Sequence, residues 1–301
     1  MRAESNGHHP DLVVALDHLL ASGGKRVRPA VALLTGGMLG ADPDRLITLA
    51  AAIELLHTAT LVHDDLIDGA LLRRGIATLN AQWTPAATVL TGDFIFARAA
   101  KLAAETDSVE VMRLFAETLT TIVSGEITQM FARRENISRA SYFDRIHAKT
   151  ASMFELATAA AAVLSPVSEQ VIEQVRAYGY EIGMAFQIID DVLDFTGEQA
   201  TVGKPVASDL RQGLITLPAL YFLEENPDDP DMKLVFSGSL FDENRLNRLA
   251  SAIRDSGAIE RSVAKACEYV ERGLEALEGL PNSIERRSLE DLARYIVNRH
   301  R

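Results

Sequence analysis

Only one cysteine occurs in the sequence, Cys267, so neither a disulfide framework nor a cysteine-built zinc site can form within the chain. A reducing, cytoplasmic setting fits that scarcity. Aromatic residues make up only 6% of the chain while alanine and leucine abound, a balance that favours helix over sheet. Strict alternation of apolar and polar residues is also scarce, so no sheet is expected. Cations are outnumbered: 30 Lys and Arg face 42 Asp and Glu, a formal net charge of -12. So acidic a surface argues against nucleic acid, which needs a basic stripe, and against general attachment to anionic lipid. No uninterrupted apolar run approaches the roughly 18–20 residues of a membrane span, so no integral membrane segment is expected. The opening MRAESNGHHP lacks the apolar stretch of a signal peptide. Neither a linker nor a fixed-period repeat divides the 301 residues, which therefore read as a single domain, 1–301.

What is present is helical. The pattern predicts helices over 11–20, 29–39, 44–69, 85–104, 108–133, 139–163, 168–195, 209–224, 243–255, 257–277 and 283–299. Asp44 is the expected N-cap of the third, and Pro29 suits the first turn of the second. Two connections stand out: Gly197 to Ala207, and the acidic Glu225 to Asp231, which reads as a solvated loop.

The pattern Asp-Asp-x-x-Asp occurs once in each half, as Asp64-Asp65-Asp68 and Asp190-Asp191-Asp194. On a helix the first and last aspartates of each set are i and i+4, on one face a turn apart. Like charges at that spacing repel unless a cation lies between them. Oxygen-only donors point to a hard ion, and magnesium fits where a few carboxylates share the metal with water and substrate phosphate. One such motif in an acidic protein is often a solvated face; two, each inside an apolar helix, are harder to dismiss. Gln187 lies one turn before Asp190.

Basic residues accompany the clusters. Gly23-Gly24-Lys25-Arg26-Val27-Arg28-Pro29 combines glycines, three cations and a helix start, an arrangement that attracts anions. Arg73-Arg74-Gly75 follows the first cluster, His57 precedes it by two turns, Lys149-Thr150 follows His147, and Lys204 follows the second cluster. Each alone is ordinary; together they supply cations for two diphosphates.

These motifs, in this order, resemble the trans-type prenyl diphosphate synthases, also called polyprenyl synthetases. The likeness runs through Gly23–Pro29, Glu54 to His57, His63–Asp68, Arg73–Gly75, Gly92-Asp93, Gly125-Glu126 with Gln129, Lys149-Thr150, Gly183 to Asp194, Gly203-Lys204-Pro205 and Asp209 to Pro218. It implies an all-α, isoprenoid-synthase type bundle around a central active-site cavity, usually a homodimer. It further implies that Asp64, Asp68, Asp190 and Asp194 hold about three magnesium ions, with Asp65 nearby. Arg73, Lys149, Gln187 and Lys204 would hold the allylic diphosphate; Lys25, Arg28, His57 and Arg74 would hold isopentenyl diphosphate, with Arg299 and Arg301 helping to close that site. The allylic C–O bond would ionise, isopentenyl diphosphate would attack the cation, and a proton would be lost. Thr150 would help stabilise the cation, and the loop 197–207 would act as a lid that excludes water. Catalysis is thus expected of Asp64, Asp65, Asp68, Lys149, Thr150, Asp190 and Lys204. Family members often carry lysine where Leu214 stands.

Ala59 and Thr60 precede Asp64 by about one turn and are small, where short-product enzymes of this family place aromatic residues. A product of about C30 to C50 is therefore expected, with Phe94, Phe96, Met130 and Phe131 as candidate floor residues. A short-chain (C15–C20) synthase, a terpene cyclase and a modulatory subunit of a heteromeric synthase are the competing readings.

Overall fold

The computed structural model describes residues 10–21, 23–73, 75–131, 138–197, 207–237 and 242–299. Helix dominates, as the composition dictates: α1 (Pro10–Ala21), α2 (Val27–Leu39), α3 (Pro43–Ile67), α4 (Leu79–Gln82), α5 (Pro85–Ala104), α6 (Val109–Phe131), α7 (Arg139–Ile146), α8 (Ser152–Val163) and α9 (Glu169–Thr196). After them come α10 (Ser208–Arg211), α11 (Leu217–Glu225), α12 (Pro230–Ser237), α13 (Glu243–Asp255), α14 (Ala258–Ala276) and α15 (Ile284–Asn298). Two compact units share these elements. One comprises 1–118, 156–175 and 281–286; the other comprises 119–155, 176–280 and 287–301.

In the first unit α3 is the central element, packed against α2 and α5. Leu49, Ala52, Ile53, Leu55, Leu56, Ala59 and Val62 are all buried, so α3 is covered on every side rather than along one stripe. Its apolar content meets the length and hydropathy of a membrane span, but 56% of that window is buried within the protein. Close packing uses glycine: a Cβ at Gly36 would run into Leu46, and one at Gly92 would overlap the His63 ring. The N-cap of α3 is Asp42, not Asp44: its carboxylate accepts from the backbone N–H of Asp44 (3.1 Å) and Arg45 (3.0 Å), with Pro43 opening the helix.

A short hairpin corrects the expectation of no strand. β1 (Leu72–Arg73) and β2 (Ile76–Ala77) pair antiparallel, Leu72 opposite Ala77 and Arg73 opposite Ile76. Strands this short show no period, so alternation cannot reveal them. Gly75, at φ 76°, supplies the left-handed conformation that a two-residue connection needs.

In the second unit the C-terminal part of α9 buries a broad face, through Tyr178, Ile182, Ala185, Ile188, Ile189, Val192 and Phe195. The helix expected over 139–163 is interrupted: His147–Ala151 form a π turn between α7 and α8. Two glycines seat that turn. A Cβ at Gly125 would meet the Ala148 side chain, and one at Gly183 would meet the backbone and side chain of Ala151.

The helix expected over 209–224 is likewise two, because Gly213 turns left-handed (φ 77°) and Pro218 opens a new first turn. Residues 225–231 are not merely a solvated loop, since Pro230 starts α12 and Asp231 is buried. Its carboxylate accepts from Arg248 Nη2 at 2.6 Å and Arg245 Nη1 at 3.3 Å.

Candidate active site

In the first unit the C-terminal turn of α3 presents Asp64 and Asp68 one turn apart, the first half-buried and the second exposed. Asp65 points the other way and is only 7% exposed. One of its oxygens, Oδ1, accepts from both Nε and Nη2 of Arg73, each at 2.8 Å. The hairpin thus aims Arg73 back at the helix that precedes it. Thr78 closes the segment, its hydroxyl donating to the Ala70 carbonyl at 2.7 Å.

The N-terminal basic loop is also fastened to α3. Gly23 (φ 75°), Gly24 (φ 146°) and Arg26 (φ 49°) take positive φ, which turns the chain sharply into α2. Arg26 pairs with the buried Glu54. Arg28 Nη1 donates to His57 Nε2 at 3.2 Å, so that ring nitrogen is an acceptor and the imidazole proton sits on Nδ1. Arg28 and His57, which the family resemblance places in one set, are therefore brought together, while Lys25 is exposed. Arg26 is one of the three cations of the basic loop, and the resemblance gives it no role. Its distinguishing signal is Glu54, an acid inside an apolar helix one turn before His57.

In the second unit Asp190, Asp191 and Asp194 have three different surroundings. Asp190 Oδ1 lies 3.0 Å from Arg299 Nη1, whose guanidinium also sits 4.4 Å from the centroid of the Phe186 ring. Asp194 tethers the segment that follows. Its Oδ1 accepts from the Ser208 hydroxyl (2.6 Å) and backbone N–H (3.1 Å), and its Oδ2 from the Asp209 N–H (3.1 Å). Asp191 is 4% exposed and accepts from the Tyr142 hydroxyl at 2.7 Å and from Gln187 Nε2 at 2.8 Å. Gln187 Oε1 in turn accepts from the Thr150 hydroxyl at 2.6 Å. Beside them Lys149 Nζ pairs with Glu126 Oε1 at 2.8 Å. Tyr142, the pairing of Glu126 with Lys149 and the contact of Arg299 with Asp190 do not follow from the sequence, because each depends on a neighbour far along the chain.

Burial governs the titration here. Desolvation, and then the charge of Asp209, raise Asp191 to about 7, opposed by hydrogen bonds from Tyr142 and Gln187. Burial, and then the Asp191 charge, hold the Tyr142 phenol well above its ordinary value, so it stays a donor. A groove of about 610 Å³ runs alongside, lined by Gln129, Tyr142, Arg145, Gln212, Leu214 and Leu220 among others. Arg145 Nη2 donates to the Ile215 carbonyl at 2.8 Å in its wall.

Arg74, Lys204, Arg301 and residues 198–206 of the expected lid lie outside the described residues. Of the expected floor residues, Phe96 stacks near Phe115 with centroids 6.1 Å apart, whereas Met130 and Phe131 are 61% and 81% exposed. Ala59 is 2% exposed, and the Thr60 hydroxyl donates to the His57 carbonyl at 2.8 Å.

Among the described residues no three His, Cys, Asp or Glu side chains form a ready-made metal cage. Paired carboxylates at i and i+4, with oxygen donors only, fit a hard divalent cation that completes its shell with water and substrate oxygens.

An all-helical protein with two aspartate-rich helices, each beside arginine or lysine, has the make-up of an enzyme that handles diphosphates with a metal. The chain belongs to the polyprenyl synthetase family, whose profile matches residues 9–252. It is 39% identical to heptaprenyl diphosphate synthase component 2 of Geobacillus stearothermophilus, covering 94% of this chain and 88% of that one. It is 38% identical to the geranyl-diphosphate-specific all-trans-nonaprenyl-diphosphate synthase of Rhodobacter capsulatus, covering 94% and 87%. Its structure matches the polyprenyl synthase of Caulobacter crescentus CB15 complexed with calcium and isoprenyl diphosphate. That match has a TM-score of 0.94 and 36% identity, over 100% of this chain and 92% of that one. The all-helical fold and the prenyltransferase class expected from the motifs therefore hold. The family is metal-dependent and takes isopentenyl and allylic diphosphates.

Proposed function

We propose that this chain is a magnesium-dependent trans-prenyltransferase that extends an allylic diphosphate with isopentenyl diphosphate to about C30–C50, working over 1–301 as one functional domain. The observation that carries the reading is the small, buried Ala59, one turn from Asp64 on a helix free of aromatic residues at that depth. Similarity to synthases named for heptaprenyl and nonaprenyl products supports the same length class. A homodimer in a reducing, cytoplasmic setting completes the proposal, the second point resting on the single Cys267.

Asp64, Asp68, Asp190 and Asp194 would hold the magnesium ions, whose charge would offset that of the leaving diphosphate. The chain's own groups do the rest. Arg73, Lys149 and the second N–H of Gln187 bind the allylic diphosphate, joined by Lys204. Lys25, Arg28, His57 and Arg74 bind isopentenyl diphosphate. Thr150 turns its oxygen toward the developing cation. Asp65 orients Arg73 through the pair at Oδ1. Exclusion of water protects the cation until the double bond attacks.

The test is incubation of the purified chain with farnesyl diphosphate, labelled isopentenyl diphosphate and magnesium. A ladder ending at about C30–C50 is expected, and products stopping at C15 or C20 overturn the length assignment. A second reading, a catalytic subunit that needs a partner chain, is favoured by the "component 2" designation of one relative. Activity of the isolated chain removes it.

A further inference from the structure

Tyr142 belongs to none of the motifs, yet its hydroxyl ends on the second cluster. The side chain is 2% exposed, and its hydroxyl is 2.7 Å from Asp191 Oδ2. A phenylalanine would fill the same space, so packing alone gives the oxygen no purpose. Its purpose lies in the direction of the protons.

In its ionised form Asp191 only accepts. Asp191 takes the Tyr142 O–H on Oδ2 and the Gln187 N–H on Oδ1 at 2.8 Å. With its nitrogen turned to Asp191, Gln187 must present its carbonyl to Thr150, which donates at 2.6 Å. The Thr150 proton therefore points inward, and the oxygen offers its other neighbours only lone pairs. Gln187 keeps one N–H to donate. The chain of bonds makes Thr150 an acceptor, suited to positive charge, and Gln187 a donor, suited to an anion.

We infer that Tyr142 is a positioning residue for prenyl transfer: by holding Asp191 as the acceptor of two donors, it fixes the Gln187 amide and so sets Thr150 as an acceptor. The inference rests on the reading of the chain as a condensing enzyme. Without the phenol, Oδ2 becomes a buried acceptor lacking its donor, and Asp191 is free to turn. As Asp191 turns, the Gln187 amide loses the partner that holds it in place, and the Thr150 proton is no longer kept pointing inward, away from the cation. No bond to Tyr142 forms or breaks.

The experiment uses the full chain with farnesyl diphosphate, isopentenyl diphosphate and magnesium, and reads kcat and both KM values. Tyr142→Phe is expected to lower kcat about tenfold, the worth of one buried hydrogen bond. Its KM for isopentenyl diphosphate should stay within about twofold of wild type. Thr150→Ser, which keeps the hydroxyl, should retain activity, and Thr150→Val should lose it. The double variant Tyr142→Phe/Thr150→Val should be no slower than Thr150→Val alone, because both changes act through one chain of bonds. A wild-type kcat in Tyr142→Phe, losses that multiply in the double variant, or a Tyr142→Phe chain that does not fold each overturns the positioning role. A wild-type chain that performs no prenyl transfer overturns the functional reading and the inference with it. An active wild type beside an unaffected Tyr142→Phe overturns the inference alone.

Discussion

Arg299, near the C-terminus, lies 3.0 Å from Asp190, the first carboxylate of the second cluster. Asp190 is expected to bind a metal ion, so the guanidinium and the metal compete for one side chain. Arg299→Gln should shift the magnesium activation curve to lower concentration, by about threefold, the modest worth of a partly solvated pair. Activity measured against magnesium concentration checks this; an unshifted or raised half-activation point sinks it. The expected role of Arg299 beside isopentenyl diphosphate would instead appear as a raised KM for that substrate.

Gly183 lets α9 meet the π turn closely enough for Gln187 to reach Thr150. A Cβ added there would stand 2.5 Å from the Ala151 Cα, a backbone atom that cannot step aside cheaply. Gly183→Ala is therefore expected to destabilise the protein by about 1–3 kcal/mol and to lower kcat as the Gln187–Thr150 bond opens. Chemical denaturation and steady-state kinetics measure the two. Wild-type stability would show that the helices separate without penalty.

Ala59 tests product length. Because it is buried, a phenylalanine there is expected to shorten the product and also to cost about 1–3 kcal/mol through overpacking. Chromatography of the products decides: an unchanged length distribution in a folded variant means that Ala59 does not line the path of the growing chain.

His147 gives a pH dependence. Its Nε2 lies 2.8 Å from Glu155 Oε1, and that hydrogen bond raises the imidazole above 6.5 despite burial; the charges of Glu155 and Asp144 add to the rise. A raised folded-state value means that the contribution to stability is complete below the ordinary imidazole range. It is lost as pH rises through the folded value. From about pH 6 to pH 8 the Tm of the wild type should therefore fall more than that of Glu155→Gln. Parallel slopes for the two proteins would remove the pair from the account.

The site was legible where its chemistry lies along the chain. Asp64 and Asp68, or Gln187 and Asp190, share a helix face, so spacing alone brings them together. Arg28 and His57 are grouped only through the family likeness, and the Arg26 pair shows in the sequence only as a lone acid, Glu54, inside an apolar helix. Helix positions followed from composition and periodicity. The breaks did not: Gly213 and Pro218 are visible signals, but their effect on 209–224 depends on the packing around Leu217–Phe222. Tyr142 illustrates the limit most plainly, since its partner is 49 residues away.

The π turn at His147–Ala151 has a consequence for heredity as well as for shape. A π turn amounts to one residue more than an α-helix needs, and each residue turns an α-helix by about 100°. Removing any one residue from this stretch would let the helix close its hydrogen bonds more easily while rotating everything on one side of it. Ser152–Val163 would then present another flank to its neighbours, or Lys149 and Thr150 would face away from Glu126 and Gln187. Point substitutions here can be absorbed one at a time, but a single-codon deletion changes the phase of the helix all at once.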